Sequence, residues 1–391
     1  MGSIILPLSI NLRLYLLFPL AIEKINIEQF LQLAQQHPVL DVRSPGEYSH
    51  ARIPGAHAFH LFTDEERKIV GTTYKQQSRE AAIKIGLDFF GPKMRGMVEE
   101  AEKIVDSSQV KDDTLKESDR KAKVVLVHCW RGGMRSAGVA WLLDLYGFKV
   151  YTLVGGYKYF RRWVLSQFEK EWLFNILGGY TGSGKTELLK QLNVLGENIV
   201  DLEFLAHHKG SAFGNIGLPV QPSQEMFENL LAVQLHFKAS NGLPIWMEDE
   251  SQRIGTINIP QSIWLQMRKS ILYFLDIPFG ERLKHIVEEY GTLDREKMIS
   301  AIERIQKRLG GLETKTTLQL LSEDKIEDAF RILLKYYDKW YLKGLNNRND
   351  VKELCTTISL NKVEAAVNAK YLLNAIPNNS IQKKLINEHG Y

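Results

Sequence analysis

Cys129 stands in the run His128-Cys129-Trp130-Arg131-Gly132-Gly133-Met134-Arg135-Ser136, where two arginines and two glycines surround a potential nucleophile. A thiol reacts as its thiolate, and nearby cations, backbone N–H groups and a helix N-terminus all favour that anion. Arg131, Gly132, Gly133 and Arg135 therefore make a candidate anion-binding loop around a candidate catalytic Cys129. The arginines bring charge, and the glycines let the backbone curl around an oxyanion. A lone cysteine is more often inert and buried, but arginines and glycines packed around it make a poor core. A second loop, Gly179-Tyr180-Thr181-Gly182-Ser183-Gly184-Lys185-Thr186, is a complete G-x-x-x-x-G-K-[ST] pattern. Gly179, Gly182, Ser183 and Gly184 would turn backbone N–H groups onto phosphate oxygens. Lys185 would charge-balance the outer phosphates, and Thr186 can ligate Mg²⁺. Such a loop recognises a diphosphate, of which a nucleotide is one carrier. A sulfur-handling loop and a phosphate-handling loop in one chain suggest an enzyme that joins a chalcogen to a phosphorylated or diphosphate substrate.

Acidic candidates follow the phosphate loop. Asp201 and Glu203 sit at one strand end, where a doubly wound sheet keeps its ligand cleft, and Glu248, Asp249 and Glu250 end another apolar strand. They suit metal or water, although a strand end is also an ordinary solvated place. His207 and His208 lie in a polar loop suited to phosphate or RNA. No metal site is expected there, because adjacent histidines cannot easily share one ion and no cysteine lies nearby.

The elements that must position these loops read as alternating strands and helices, which argues for α/β domains on parallel sheets. Pro38 to Arg43, Val124 to His128 and Val150 to Leu153 read as strands around the cysteine loop, with helices over Ile27 to Leu31, Met94 to Ser107 and after Arg135. Leu173 to Leu177, Glu197 to Asp201, Leu243 to Met247 and Ile271 to Leu275 read as strands around the phosphate loop, whose helix runs from Thr186 to Leu195. Past Glu281 the chain is mostly helical, with one apolar stripe of Ile326, Phe330, Leu333, Leu334, Tyr337 and Tyr341. Lys111 to Lys123 is charged without apolar period and reads as a surface loop.

The bulk numbers bound the rest. The 391 residues suffice for two or three domains, and 44% hydrophobic with 25% charged residues is ordinary for a globular protein. A net charge of +4 permits a polyanionic partner without demanding one. Two cysteines without a C-x-x-C pair argue against a disulfide framework and a structural zinc, and suit a cytoplasmic chain. The apolar run Ile4 to Ile22 is broken by Pro7, Asn11, Arg13 and Pro19, so it reads as an extension rather than a signal or a membrane span.

Asp41-Val42-Arg43-Ser44-Pro45-Gly46-Glu47-Tyr48 with Ile53-Pro54-Gly55-Ala56 resembles the rhodanese signature, which makes 25–165 similar to a rhodanese domain. The Cys-x5-Arg spacing is one residue longer than in most small sulfurtransferases and matches cysteine phosphatases on the same fold, so both readings stand for that domain alone. The order of further segments resembles one family, the tRNA 2-selenouridine synthases. It rests on Cys129 to Ser136, Val70-Gly71-Thr72 with Tyr74-Lys75-Gln76, Gly178 to Thr186, Asp201-Leu202-Glu203, Ala206 to Gly214, Gln221 to Gln224 and Glu248 to Ser251. Phe204 departs from it, standing where glycine is expected.

The expected architecture is a rhodanese-like parallel-sheet domain (25–165), a P-loop NTPase-like α/β domain (172–280) and a helical C-terminal region (281–391), after a poorly ordered extension (1–24). The last two are read from residue pattern alone, because they carry no motif of the resemblance. The resemblance implies a transferase acting on 2-thiouridine at the tRNA wobble position. There geranyl diphosphate alkylates the sulfur and selenophosphate then replaces the geranylthio group with selenium. No tightly bound cofactor, membrane or obligate protein partner is expected. Lys185 and its loop would take the geranyl diphosphate and the Cys129 loop the selenium step, with the opposite assignment also open. RNA contact is expected from Lys158, Arg161 and Arg162 beside Tyr157, Tyr159, Phe160 and Trp163, and from Lys335, Lys339 and Lys343 near Trp340. The alternatives are a P-loop kinase or NTPase fused to a rhodanese-type sulfurtransferase or phosphatase, and an RNA-binding adaptor that senses anions.

Overall fold

The computed structural model describes residues 22–108, 123–291, 293–348 and 351–376, and the chain divides into two units, Met1–Trp163 and Val164–Tyr391. In the first unit the elements run β1 (Ile22–Ile25), α1 (Ile27–Leu33), β2 (Val39–Asp41), α2 (Pro45–His50), β3 (His57–Ala58), α3 (Asp64–Gln76), α4 (Arg79–Phe90), α5 (Met94–Ser108), β4 (Val124–His128), α6 (Met134–Leu145) and β5 (Lys149–Leu153). Helix α7 (Gly156–Gln167) carries the division. The sheet order is β1-β5-β4-β2-β3, with every pair parallel. Strand β4 is central, and Val125, Leu126 and Val127 are fully buried. A parallel strand covered on both faces reads as an unbroken apolar run, as this one does. Burying each such side chain is worth roughly 1.5–3 kcal/mol, so the strand end that presents Cys129 is firmly anchored.

The expectation of a poorly ordered extension over 1–24 fails at its end. Ile22 to Ile25 form an edge strand paired with Val150 to Leu153, with Ile25 buried and Ile22 packed on the core. Residues 1–21, residues 111–122 of the expected surface loop and residues 377–391 of the expected helical C-terminal region lie outside the described residues. Helices α3 and α4 start on signals the sequence carries. Thr63 and Glu66 make a capping box, and the Ser78 side chain accepts from the Ala81 N–H.

The second unit continues with β6 (Phe174–Gly179), α8 (Lys185–Val194), β7 (Asn198–Ile199), α9 (Leu202–Ala206), α10 (Gln224–Lys238), β8 (Ile245–Glu248), β9 (Arg253–Ile254), β10 (Ile257–Asn258), α11 (Gln261–Lys269) and β11 (Ile271–Asp276). Its later described elements are α12 (Phe279–Tyr290), α13 (Arg295–Leu309), α14 (Gly311–Ser322), α15 (Ile326–Asn346), α16 (Val351–Leu354), β12 (Cys355–Ser359) and α17 (Ala365–Ala375). Its parallel sheet has the order β12-β11-β6-β8-β7, again with the loop-bearing strand in the middle. The mostly helical C-terminal region thus returns one strand, β12, to the edge of the phosphate-loop sheet. Helices α12 to α15 share a separate core in which Phe330, Leu333 and Leu334 of the expected stripe are buried.

Candidate functional site

In the first unit β4 delivers Cys129 to a loop that ends at the N-terminus of α6, the positive end of that helix dipole. Gly132 holds φ +63°, and a Cβ there would lie 2.7 Å from the Leu153 carbonyl, so only glycine fits. The loop is tied down by Tyr157 N–H to Cys129 O and Lys158 N–H to Trp130 O, both 2.9 Å. Cys129 is buried, with its Sγ 3.2 Å from the Ser136 hydroxyl, which donates to Gly133 O at 3.1 Å. Gly133 caps α6 and Arg131 is exposed.

Arg135 does not point freely at the loop. Its guanidinium donates to both Glu47 oxygens, at 2.7 and 3.4 Å, and Arg67 pairs with the same carboxylate at 3.1 Å. Burial opposes ionisation of Glu47. The hydrogen bond and charge of Arg135 outweigh it, with help from Ser44 N–H and Arg67, and bring the carboxyl down to about 2. Sequence reasoning missed this pairing; the capping box that Glu47 makes with Ser44 is local and legible, but its partner lies 88 residues on.

Asp41 and Arg43 of the signature are structural. Arg43 binds Asp41 through two nitrogens, donates to Ala51 O at 2.8 Å and stacks 3.8 Å from the centre of the Tyr157 ring. Burial depresses the basicity of His128 beside them. An open cleft of about 740 Å³ runs from Cys129, Trp130 and Arg131 between α3, α4 and α6, walled mainly by apolar side chains.

In the second unit the phosphate loop leaves β6 and enters α8. Gly182 has φ +80°, and a Cβ there would sit 2.7 Å from Ile286. Lys185 Nζ donates to the loop's own carbonyls, Gly179 O at 2.9 Å and Tyr180 O at 3.4 Å, and lies 5.9 Å from the centre of the Tyr341 ring. Ser183 Oγ is buried without a hydrogen-bond partner among the described residues, a donor suited to a phosphate oxygen. Gly184 precedes α8 as its cap, and Thr186 Oγ1 donates to Glu203 at 3.1 Å. The C-terminal helices reach this loop. Tyr341 accepts from Gly179 N–H at 3.1 Å, and Arg282 donates to Thr181 O at 3.0 Å while held by Asp338.

The acidic candidates separate into roles. Burial, then the charges of Asp201 and Glu203, push the Glu248 carboxyl well up; burial and Glu203 do the same to Glu250. Glu203 is also raised, by burial above all and against the pull of Lys185. Asp201 caps α9 by accepting from Phe204 N–H at 2.7 Å. Asp249 is occupied by the Tyr341 hydroxyl at 2.9 Å and by Arg348. Thr186 with Glu203 suits a Mg²⁺ whose other ligands come from phosphates and water. Among the described residues no three His, Cys, Asp or Glu side chains are arranged to hold a metal by themselves.

His207 takes φ +51° to end α9 and its Nδ1 meets Val220 O at 3.0 Å, while burial lowers the basicity of His208. Phe204 is 71% exposed, so the departure from glycine leaves the packing near Asp201 undisturbed. The expected RNA-stacking group needs correction. Tyr157, Phe160 and Trp163 stack on one another inside the first unit, because α7 turns its aromatic face to the core, leaving Tyr159, Lys158 and Arg162 outside. Trp340 is 40% exposed with Lys343 and Arg308 against its face. No helix among the described residues is long and apolar enough to cross a membrane.

Residues 173–371 match a family model described as the tRNA 2-selenouridine synthase AAA domain, and residues 26–162 match the rhodanese-like domain. The chain is 32% identical to a tRNA 2-selenouridine synthase of Nitrosomonas europaea over 369 residues, 80% of this chain and 90% of that protein. It is 34% identical to one of Hydrogenovibrio crunogenus over 339 residues, covering 78% and 88% of the two chains. A third, of Bdellovibrio bacteriovorus, is 32% identical over 379 residues, covering 84% and 95%.

Proposed function

The chain belongs to the tRNA 2-selenouridine synthase family, and we propose from that membership that it converts 2-thiouridine at the tRNA wobble position to 2-selenouridine through an S-geranyl intermediate. In the first step the thiouridine sulfur attacks C1 of geranyl diphosphate, the C–O bond breaks, diphosphate leaves with the electron pair, and the base gives up its N3 proton to water. Lys185, Ser183 and the N–H groups of Gly182 and Gly184 would hold that diphosphate, since fixed donors at a developing anion are the strongest lever such a site has. A Mg²⁺ on Thr186 and Glu203 would add charge to the same oxygens. In the second step selenium of selenophosphate attacks C2 of the base, the C2–S bond breaks, and geranylthiolate leaves and takes a proton. Water then carries the phosphoryl group away as phosphate. Cys129, Arg131, Gly132, Gly133 and Arg135 would serve this step, with Arg135 exchanging Glu47 for the incoming anion.

The observation that carries the reading is the pairing of two complete anion loops in one chain. Each follows the central strand of its own parallel sheet; Lys185 lies on its loop's own carbonyls, and Arg135, at the end of the cysteine loop, is paired with Glu47. Nucleoside mass spectrometry tests it, on purified full-length chain given 2-thiouridine tRNA, geranyl diphosphate and selenophosphate. Production of 2-selenouridine, with S-geranyl-2-thiouridine accumulating when selenophosphate is withheld, is expected. Unchanged 2-thiouridine with tRNA bound would refute it.

A further inference from the structure

The apolar walls of the cleft that opens on Cys129 have no part in either step as described, yet their composition is specific. Val70, Ile83, Leu87, Phe90, Met134 and Trp141 wall it, and it opens on the cysteine. The segment Val70 to Lys75, prominent in the sequence without an assigned chemistry, supplies one side of it from α3. Leu87, Met134 and Trp141 are left 54, 48 and 49% exposed, a contiguous apolar surface of the kind that marks a binding groove. Arg67, Lys68, Lys75 and Arg131 ring the apolar walls with positive charge. At about 740 Å³ the space falls in the size class of small-ligand pockets, which run to roughly 300–1,000 Å³.

We propose that this cleft receives the geranyl chain of the S-geranylated nucleoside during selenium exchange. The inference rests on the two-step reading above. In that reading the carbon attacked by selenium bears the geranylthio group, so the leaving chain starts one sulfur atom from the reacting centre. Only an apolar space that opens at the selenium-handling loop can take it. The cationic rim complements the phosphates of the tRNA that presents the nucleoside. A free geranyl diphosphate would instead follow its head group to the phosphate loop. The chain also explains why an apolar modification would be made and then discarded. Its burial supplies binding energy, roughly 25 cal/mol per Å², that a bare 2-thiouridine cannot offer.

The test compares binding of two anticodon stem-loops, one with S-geranyl-2-thiouridine and one with 2-thiouridine, to the full chain and to Leu87→Gln and Trp141→Gln. Both positions are half exposed, so the substitutions are tolerated by the fold, and Leu87→Met serves as a conservative control. The wild type should prefer the geranylated RNA by about tenfold or more. Both glutamine variants should lose that preference while binding the 2-thiouridine RNA normally, geranylating it from geranyl diphosphate, and selenating poorly. Leu87→Met should keep it. A preference unchanged in the glutamine variants would overturn the inference alone. So would variants that fail to use geranyl diphosphate yet select geranylated RNA, because the cleft would then hold the free donor. A wild type that makes neither product would overturn the proposed function, and this inference with it.

Discussion

In the first unit Arg135 is held by a full carboxylate, Glu47, which Arg67 also grips; in the second, Lys185 rests on two neutral carbonyls of its own loop. An anion entering the cysteine loop must therefore compete with an ion pair, whereas a diphosphate entering the phosphate loop displaces only uncharged acceptors. The acids around the loops differ in the same sense. Glu47 is kept ionised by its cations, while Glu248 and Glu250 are driven toward the neutral form by burial and by the neighbouring Glu203, with Asp201 also acting on Glu248. One loop is poised closed around its own counter-charge and the other is poised open.

The sharpest way to break this comparison is to remove the lysine. Lys185→Ala should lower geranyl transfer by about 10²–10³-fold, the usual cost of losing one preorganised charge at a developing anion. Steady-state kinetics with geranyl diphosphate varied would show it. Glu47→Gln should cost about 2 kcal/mol at neutral pH, because it leaves Arg135 without its counter-charge in a partly buried site.

The sign with pH follows from the lowered carboxyl. Its contribution is complete above the ordinary 4.5 and disappears as pH falls toward about 2, so the gap between wild type and Glu47→Gln should close over that window. For the raised acid Glu250 the sense reverses. Its contribution is present below the ordinary carboxylate range and lost as pH rises through the raised value. Glu250→Gln should therefore gain on the wild type toward higher pH. Thermal melts of the full-length variants across pH would read both, and parallel trends would end the contrast.

The smaller effects concern positioning. Tyr341→Phe removes the hydroxyl that joins Gly179 N–H to Asp249, and should cost about 1 kcal/mol and loosen the phosphate loop. A rise in the KM for geranyl diphosphate larger than the fall in kcat is the expected signature. Ser136→Ala removes a hydroxyl whose single proton can turn from Gly133 O to a Cys129 thiolate 3.2 Å away, and should slow alkylation of that cysteine by iodoacetamide about threefold, the scale of one modest hydrogen bond.

Both loops and the strands that carry them were legible because parallel strands buried on two faces are continuous apolar runs and phosphate loops obey a fixed spacing. What stayed hidden depends on contacts far apart in the chain. Glu47 reads as the end of a capping box, and nothing local says that it will hold Arg135. Tyr341 reads as one more member of an apolar helical stripe, although its hydroxyl reaches the phosphate loop. Cys355 to Ser359 is a short β-branched run inside helical surroundings and becomes a strand only because the edge of β11 is open to it. Tyr157, Phe160 and Trp163 show the opposite error. Aromatic residues next to arginines look like a base-stacking surface, but at helical spacing they were the core. The cleft was invisible because α3, α4 and α6 build it together, and no single stretch of sequence contains it.

The division of labour between the loops is tested most directly by crossing two variants with two substrates in one mass-spectrometric assay. Cys129→Ser should turn 2-thiouridine tRNA into S-geranyl-2-thiouridine and stop there. Lys185→Ala should leave 2-thiouridine untouched yet convert tRNA that is already S-geranylated to 2-selenouridine. Both variants failing at the same step, or Cys129→Ser yielding 2-selenouridine at the wild-type rate, would contradict it.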